Sequence, residues 1–150
     1  MNILAIDPGT TQSAFVVLNE RFDILDKGIL ENEAMLIAIK TTHTAVDKLV
    51  IEMIASYGMS VGASVFETCV WIGRFIEAWD GDYKQIYRRE IKMQLCGTMK
   101  AKDSNIRQYL IDRFGVPGTK KNKGKLYGIS KDIWSALAVG VCYFDKEVNK

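Results

Sequence analysis

Short aliphatic runs, each closed by a polar or turn residue, set the frame of this chain. Ile3-Leu4-Ala5-Ile6 ends in Asp7 and then Pro8-Gly9. An apolar run of that length, bounded by turn residues, predicts a buried strand. Pro8 has no N–H and Gly9 tolerates positive φ, so the strand stops at the carboxylate. Ser13 to Leu18 predicts a second strand and Ile24 to Leu30 a third, with a tight turn over Asn19 to Asp23. Links this short make the three an antiparallel meander. Leu49-Val50-Ile51 repeats the opening pattern and ends at Glu52, and Lys84 to Tyr87 reads as a short edge strand.

Helical spacing fills the intervals. A helix is predicted from about Asn32 to Thr42, with Ala34, Leu36, Ile37 and Ala38 on its apolar face. The segment Ala63 to Trp79 is apolar nearly all round, at Val65, Phe66, Cys69, Val70, Ile72, Phe75, Ile76 and Trp79. That pattern predicts burial on two sides, the second covered by a partner subunit or by other elements of the domain. Arg88 to Cys96 reads as a short helix with Ile91 and Leu95 inward and Gly97 as its C-cap. Another opens with Asp103 or Ser104 as N-cap, buries Ile106, Tyr109, Leu110 and Phe114, and ends at Gly115. The last runs from about Ser130 to Lys146, with Ile133, Ala136, Leu137, Gly140 and Phe144 inward. Two stretches read as loops. Ala55 to Gly62 exposes Tyr57 and Met59, which suit base stacking or packing over the core. Val116 to Gly128 is predicted to be a flexible basic loop.

Composition narrows the class. A chain of 150 residues with 48% hydrophobic and 25% charged residues is ordinary for one soluble globular domain. Three cysteines without CxxC spacing argue against a disulfide framework or a zinc site and suggest a reducing compartment. His43 is the one histidine and is read as a surface residue, which removes His-based triads. No apolar stretch approaches the ~20 residues of a membrane span, and no secretory signal pattern opens the chain. A cytoplasmic location is expected.

The net charge of +2 hides an asymmetry. Residues 1–83 carry five basic and twelve acidic side chains, whereas residues 84–131 carry thirteen basic and three acidic. Such a block is either a polyanion-binding surface or a solvated face. The acids have their own pattern. Asp7 and Glu52 each end an aliphatic strand, and a strand that follows a helix can lie parallel to the first. Asp132 opens the last helix, whose N-terminus stabilises an anion. Three carboxylates in one cleft raise one another's pKa unless a cation relieves them. Mg²⁺ takes few carboxylates and keeps positions for water and phosphate oxygens, and two such ions can serve phosphodiester hydrolysis. No Walker motif, Ser–His pair or dinucleotide fingerprint offers a rival chemistry.

Ile3 to Thr10, Val50-Ile51-Glu52 and Asp132 to Ala138, in that order and spacing, make the chain resemble the RuvC-type Holliday junction resolvases, with a compact form like that of the bacteriophage members. The resemblance implies an α/β, RNase H-like fold over residues 1–150, a mixed five-stranded sheet flanked by helices. It implies that Asp7, Glu52 and Asp132 are the catalytic, metal-binding acids. The position one turn after Asp132, where the family has a further ligand, is here Ser135. Two Mg²⁺ ions are expected in the active complex, with Mn²⁺ able to substitute and no small-molecule cofactor. Lys92, Lys100 and Lys102 match basic DNA-contacting positions. Tyr57, Arg88, Arg89, Arg107, Lys120, Lys121, Lys123 and Lys125 complete the candidate DNA surface. The expected partners are a four-way DNA junction and a second copy of the chain, joined through the 63–79 helix, with no membrane. The expected activity is paired nicking that leaves a 5′-phosphate and a 3′-hydroxyl. A nuclease acting on structured RNA and a branched-DNA-binding protein with weak or no turnover are the alternatives.

Overall fold

The computed structural model describes residues 1–42 and 44–148; His43 lies outside the described residues. Five strands form one sheet: β1 (Asn2–Asp7), β2 (Gln12–Asn19), β3 (Ile24–Glu31), β4 (Lys48–Met53) and β5 (Tyr83–Tyr87). Their order is β3-β2-β1-β4-β5. β1, β2 and β3 are the expected antiparallel meander, while β4 runs parallel to β1 and β5 parallel to β4 at the edge. The helices are α1 (Asn32–Thr41), α2 (Ala63–Trp79), α3 (Arg88–Cys96), α4 (Asp103–Phe114) and α5 (Ile133–Tyr143), and a π-helical turn (Phe144–Val148) follows α5.

The two faces of the sheet bury different halves of each strand, because side chains alternate with period two. Leu4, Ile6, Leu49 and Ile51 face α1 and α2, in a core completed by Met35, Ile39, Ile72, Phe75 and Trp79. Ile3, Ala5, Val50 and Ile86 face α3, α4 and α5. Asp7 is two residues beyond Ala5, and Glu52 two beyond Val50. Both therefore point to the α5 side. In the parallel register Ile6 stands beside Ile51, so one step further Asp7 stands beside Glu52.

The turn after Asp7 is held by two buried polar side chains. The Gly9 N–H donates to Ser13 Oγ at 3.1 Å, Ser13 Oγ donates to Asn32 Oδ1 at 2.6 Å, and Asn32 Nδ2 donates to the Gly9 carbonyl at 2.9 Å. The strand, the turn and the start of α1 thus clamp the carboxylate. A Cβ at Gly9 would collide with the Gln12 carbonyl. Gly9→Ala is expected to cost about 1–3 kcal/mol by forcing that backbone apart. A urea unfolding curve with an unchanged midpoint would show that the turn yields freely.

Several expectations need correction. α1 buries Asn32, Met35, Leu36 and Ile39, while Ile37 is 66% exposed. The longer side chains win the face because α1 packs on α2 and the Ala34–Ile37–Ala38 set fills less of that gap. α2 buries one side against the described residues of the chain itself, at Thr68, Ile72, Phe75 and Trp79, and leaves Phe66 and Val70 more than 60% exposed, so of the two expected covers for its second side the one from within the domain is absent there. Lys102, not Asp103 or Ser104, caps α4, and its N–H donates to Asn105 Oδ1 at 2.8 Å. α5 starts at Ile133 with Asp132 at its N-cap, and it is buried all round from Ala136 to Tyr143 because the sheet, α3 and α4 enclose it. The 116–128 segment is a built loop. Gly118 bridges Lys123, the Gly124 N–H donates to the Pro117 carbonyl at 2.8 Å, and Leu126 inserts into the core.

Candidate active site

Four elements deliver acids to one edge of the sheet. Asp7 and Glu52 come from β1 and β4, Asp132 from the α5 N-cap, and Asp103 from the first turn of α4. Glu52 keeps 13% of its side chain exposed, whereas Asp103 stands on the rim at 76%. Asp7 is half-buried and, among the described residues, has neither a hydrogen-bond nor an ion-pair partner for its carboxylate. Burial pushes its pKa up from the usual 3.8 to about 8; the Glu52 charge adds to the rise, Arg88 opposes it, and Asp132 and Asp103 add smaller increments. Burial also raises Glu52, against the pull of Arg88, with Asp103 adding to the rise and Lys92 opposing it.

Arg88 was expected on the DNA surface, and the structure places it among the acids. It follows β5 two residues after Ile86, which pairs with Glu52, so it emerges on the same face. Its Nη1 donates to Glu52 Oε1 at 3.3 Å, and its Nη2 to Asp103 Oδ1 at 2.6 Å and to Ser135 Oγ at 3.5 Å. Asp103, Asp132, Ser135, Arg107 and Lys131 line the cleft beside it. Among the described residues no three Asp, Glu, His or Cys side chains are gathered tightly enough to hold an ion by themselves. In donor type the site still suits a hard divalent cation: the donors are carboxylate oxygens, and Asp7 is an unpartnered one whose charge is disfavoured as it stands.

The remaining candidate residues divide by position. Lys92 is within electrostatic reach of Glu52, and Arg107 lines the cleft. Arg89 stacks its guanidinium over Tyr57, 4.0 Å from the ring centre. Tyr57 is 47% exposed and Met59 74%, and φ of +51° at Tyr57 followed by +81° at Gly58 makes a sharp turn that holds both outward. Lys100 and Lys102 are exposed between α3 and α4. The loop lysines go elsewhere. Lys125 donates to the Arg21 carbonyl at 3.1 Å and lies 3.8 Å from Asp23. That β2–β3 turn is at the end of the sheet opposite Asp7, since Asn19 pairs with Asn2 while Asp7 pairs with Ala14. Lys123 lies 5.1 Å from the Tyr127 ring centre, and Lys120 and Lys121 are exposed in the same loop.

Sequence reasoning missed Asp103 as a site residue, since an acid opening a helix is ordinarily a cap or a dipole partner. The available signal was its isolation: it is one of three acids among residues 84–131. No helix among the described residues is long and apolar enough to cross a membrane.

No family model and no curated protein sequence matches the chain. Solved structures do. A Thermus thermophilus RuvC structure superposes with a TM-score of 0.73 at 13% identity, covering 99% of this chain and 97% of its own. T. thermophilus RuvC in complex with a Holliday junction substrate superposes with a TM-score of 0.72 at 13% identity, covering 95% and 92%. The chain therefore has the RNase H-like fold of RuvC across nearly its whole length.

Proposed function

We propose that this protein is a divalent-metal-dependent endonuclease that resolves four-way DNA junctions as a homodimer. One observation carries the reading: Asp7 and Glu52 end adjacent parallel strands on the face that the α5 N-terminus and Asp132 overlook, on the fold of a protein solved with a Holliday junction. Asp7, Glu52 and Asp132 would hold Mg²⁺. Held there, such a cation would contribute Lewis-acid stabilisation of the phosphodiester's developing charge and a more acidic attacking water. The rest falls to the chain. β1 and β4 fix two carboxylates on a packed sheet, so little reorganisation is needed when phosphate arrives. Lys92 and Arg107 stand at the cleft for the backbone phosphates, and Arg89 holds Tyr57 at its edge for an unstacked base. Phe66, Val70 and the unobstructed Gly73 on α2 suit a second copy of the same helix. Hydrolysis breaks the bond to the 3′ oxygen and leaves a 5′-phosphate.

Arg88 among the acids favours one competing reading, a junction-binding protein with weak turnover, since a guanidinium there neutralises the carboxylates. A single gel separates these readings. The protein is incubated with a four-way junction, a flap, a linear duplex and a structured RNA, with and without Mg²⁺. Symmetric paired nicks in the junction are expected only with metal. Junction binding without cleavage in Mg²⁺ or Mn²⁺ would support the binding protein, and cleavage confined to RNA would remove the resolvase reading.

A further inference from the structure

The shortest contact in the cleft belongs to the acid that the strand pattern did not select. Asp103 Oδ1 lies 2.6 Å from Arg88 Nη2, and the same guanidinium reaches Glu52 Oε1 at 3.3 Å and Ser135 Oγ at 3.5 Å. Three oxygens from β4, α4 and α5 thus surround one positively charged head. We propose that Asp103 is a further ligand of the divalent cation, and that the Arg88 guanidinium holds the cation's place among Glu52, Asp103 and Ser135 until the metal displaces it. This rests on the reading of the site as a metal centre.

Charge and mobility point the same way. Asp7, Glu52, Asp103 and Asp132 bring four carboxylates to the cleft, and Arg88 is the cation that contacts two of them. A guanidinium spreads one charge over a flat group, whereas a divalent ion concentrates two, so oxygens that accept the first suit the second better. Asp103 is close enough for its charge to act on both Asp7 and Glu52. At 76% exposure its carboxylate is free to turn, and its pairing with Arg88 is screened by water and weak. Arg88 sits at the end of a long side chain that is 27% exposed, and once released it can reach a phosphate. Ser135, from α5, offers a neutral oxygen beside the same head, and Asp103 is the carboxylate that lines the cleft with Asp132 and also touches that head.

The test is Mn²⁺ titration by calorimetry in the absence of DNA, on wild type, Asp103→Asn, Asp103→Glu, Arg88→Gln and Asp7→Asn, with melting temperatures taken in parallel. Asp103→Asn is expected to weaken Mn²⁺ binding at least about 10-fold, the scale on which even supporting partners of a ligand act. Asp103→Glu, which keeps a carboxylate, should recover part of that loss. Arg88→Gln should bind Mn²⁺ more tightly than wild type, because no resident cation has to leave. A salt-bridge partner with no role towards metal would give a different pattern, with Asp103→Asn binding Mn²⁺ as well as wild type or better. That result overturns the ligand assignment, and weaker or unchanged binding in Arg88→Gln overturns the place-holding. If Asp7→Asn loses Mn²⁺ and Asp103→Asn keeps it, this inference fails while the metal-centre reading stands. If wild type binds no Mn²⁺, both fail together.

Discussion

Replacing Asp7 by asparagine is expected to abolish junction cutting while leaving junction binding in chelator intact. The substitution keeps the size of the side chain and removes its charge. β1 is buried from Ile3 to Ile6, and the Gly9–Ser13–Asn32 hydrogen bonds clamp the turn beyond it. The amide will therefore occupy the same place as the carboxylate. What changes is the anionic oxygen beside Glu52, and β2 on the other side of β1 places only Ala14 opposite Asp7. Loss of one preorganised electrostatic group typically lowers turnover about 10²–10³-fold, and loss of an anionic ligand for a reacting metal belongs at or beyond the upper end. Binding should persist because Lys92, Arg107, Arg89 and Tyr57 come from α3, α4 and the loop after β4. Single-turnover cleavage of a labelled four-way junction checks the first half, and a gel shift in EDTA the second. Cutting within tenfold of wild type would remove Asp7 from the site.

The parts of this architecture that were legible in the sequence were those with a local cause. Ile3 to Ile6 and Leu49 to Ile51 are continuous aliphatic runs closed by acids; β1 ended at Asp7, where Pro8-Gly9 placed it, and β4 ran one residue past Glu52, to Met53. The period of two then decided the face on which both acids lie. Gly97 and Gly115, at φ of +72° and +96°, ended their helices as their lack of a Cβ predicts. What was not legible depended on segments distant in sequence. The Arg88 contacts to Glu52 and Ser135 span 36 and 47 residues, and nothing near Arg88 distinguishes it from the exposed Arg89. In α1, Leu36 was legible as an inward position, but Ala34–Ile37–Ala38 and Met35–Ile39 are both plausible partners for it, and only the fit against α2 selects the second. The 116–128 loop misled through its lysines. Its order comes from Leu126 in the core and from Gly118 and Gly124, where a Cβ would strike backbone atoms of the loop itself.

The same buried carboxylate makes the stability of the metal-free protein fall as pH rises through neutrality. Asp7 titrates near its ordinary 3.8 when unfolded and at about 8 when folded. Between those values the folded chain holds the extra proton, and linkage then requires that stability decrease with pH. The favourable contribution is complete below about pH 4, is lost progressively towards pH 8 and is gone above it. Glu52, raised by the same burial, adds to the fall with rising pH. Asp23 and Glu90 have lowered values, so their contributions are lost only as pH falls below the ordinary carboxylate range and do not offset this slope. A tenfold change in a proton's binding constant between the two states is worth about 1.4 kcal/mol, so the drop amounts to several kcal/mol. For a chain of this size that is a change in melting temperature on the order of 10 °C. Asp7→Asn has no charge to bury. In EDTA it should melt close to wild type at pH 4.5 and well above it at pH 8.5, and this comparison cancels every group that titrates alike in both proteins. Mg²⁺ needs the ionised form and should raise the wild-type melting temperature more at pH 8.5 than at pH 5.5, while raising that of Asp7→Asn little at either. Parallel melting curves for the two proteins across that range would mean that Asp7 is ionised at neutral pH without help from a metal. The catalytic loss in Asp7→Asn would then be the loss of a charge that stands ready before any cation enters the cleft.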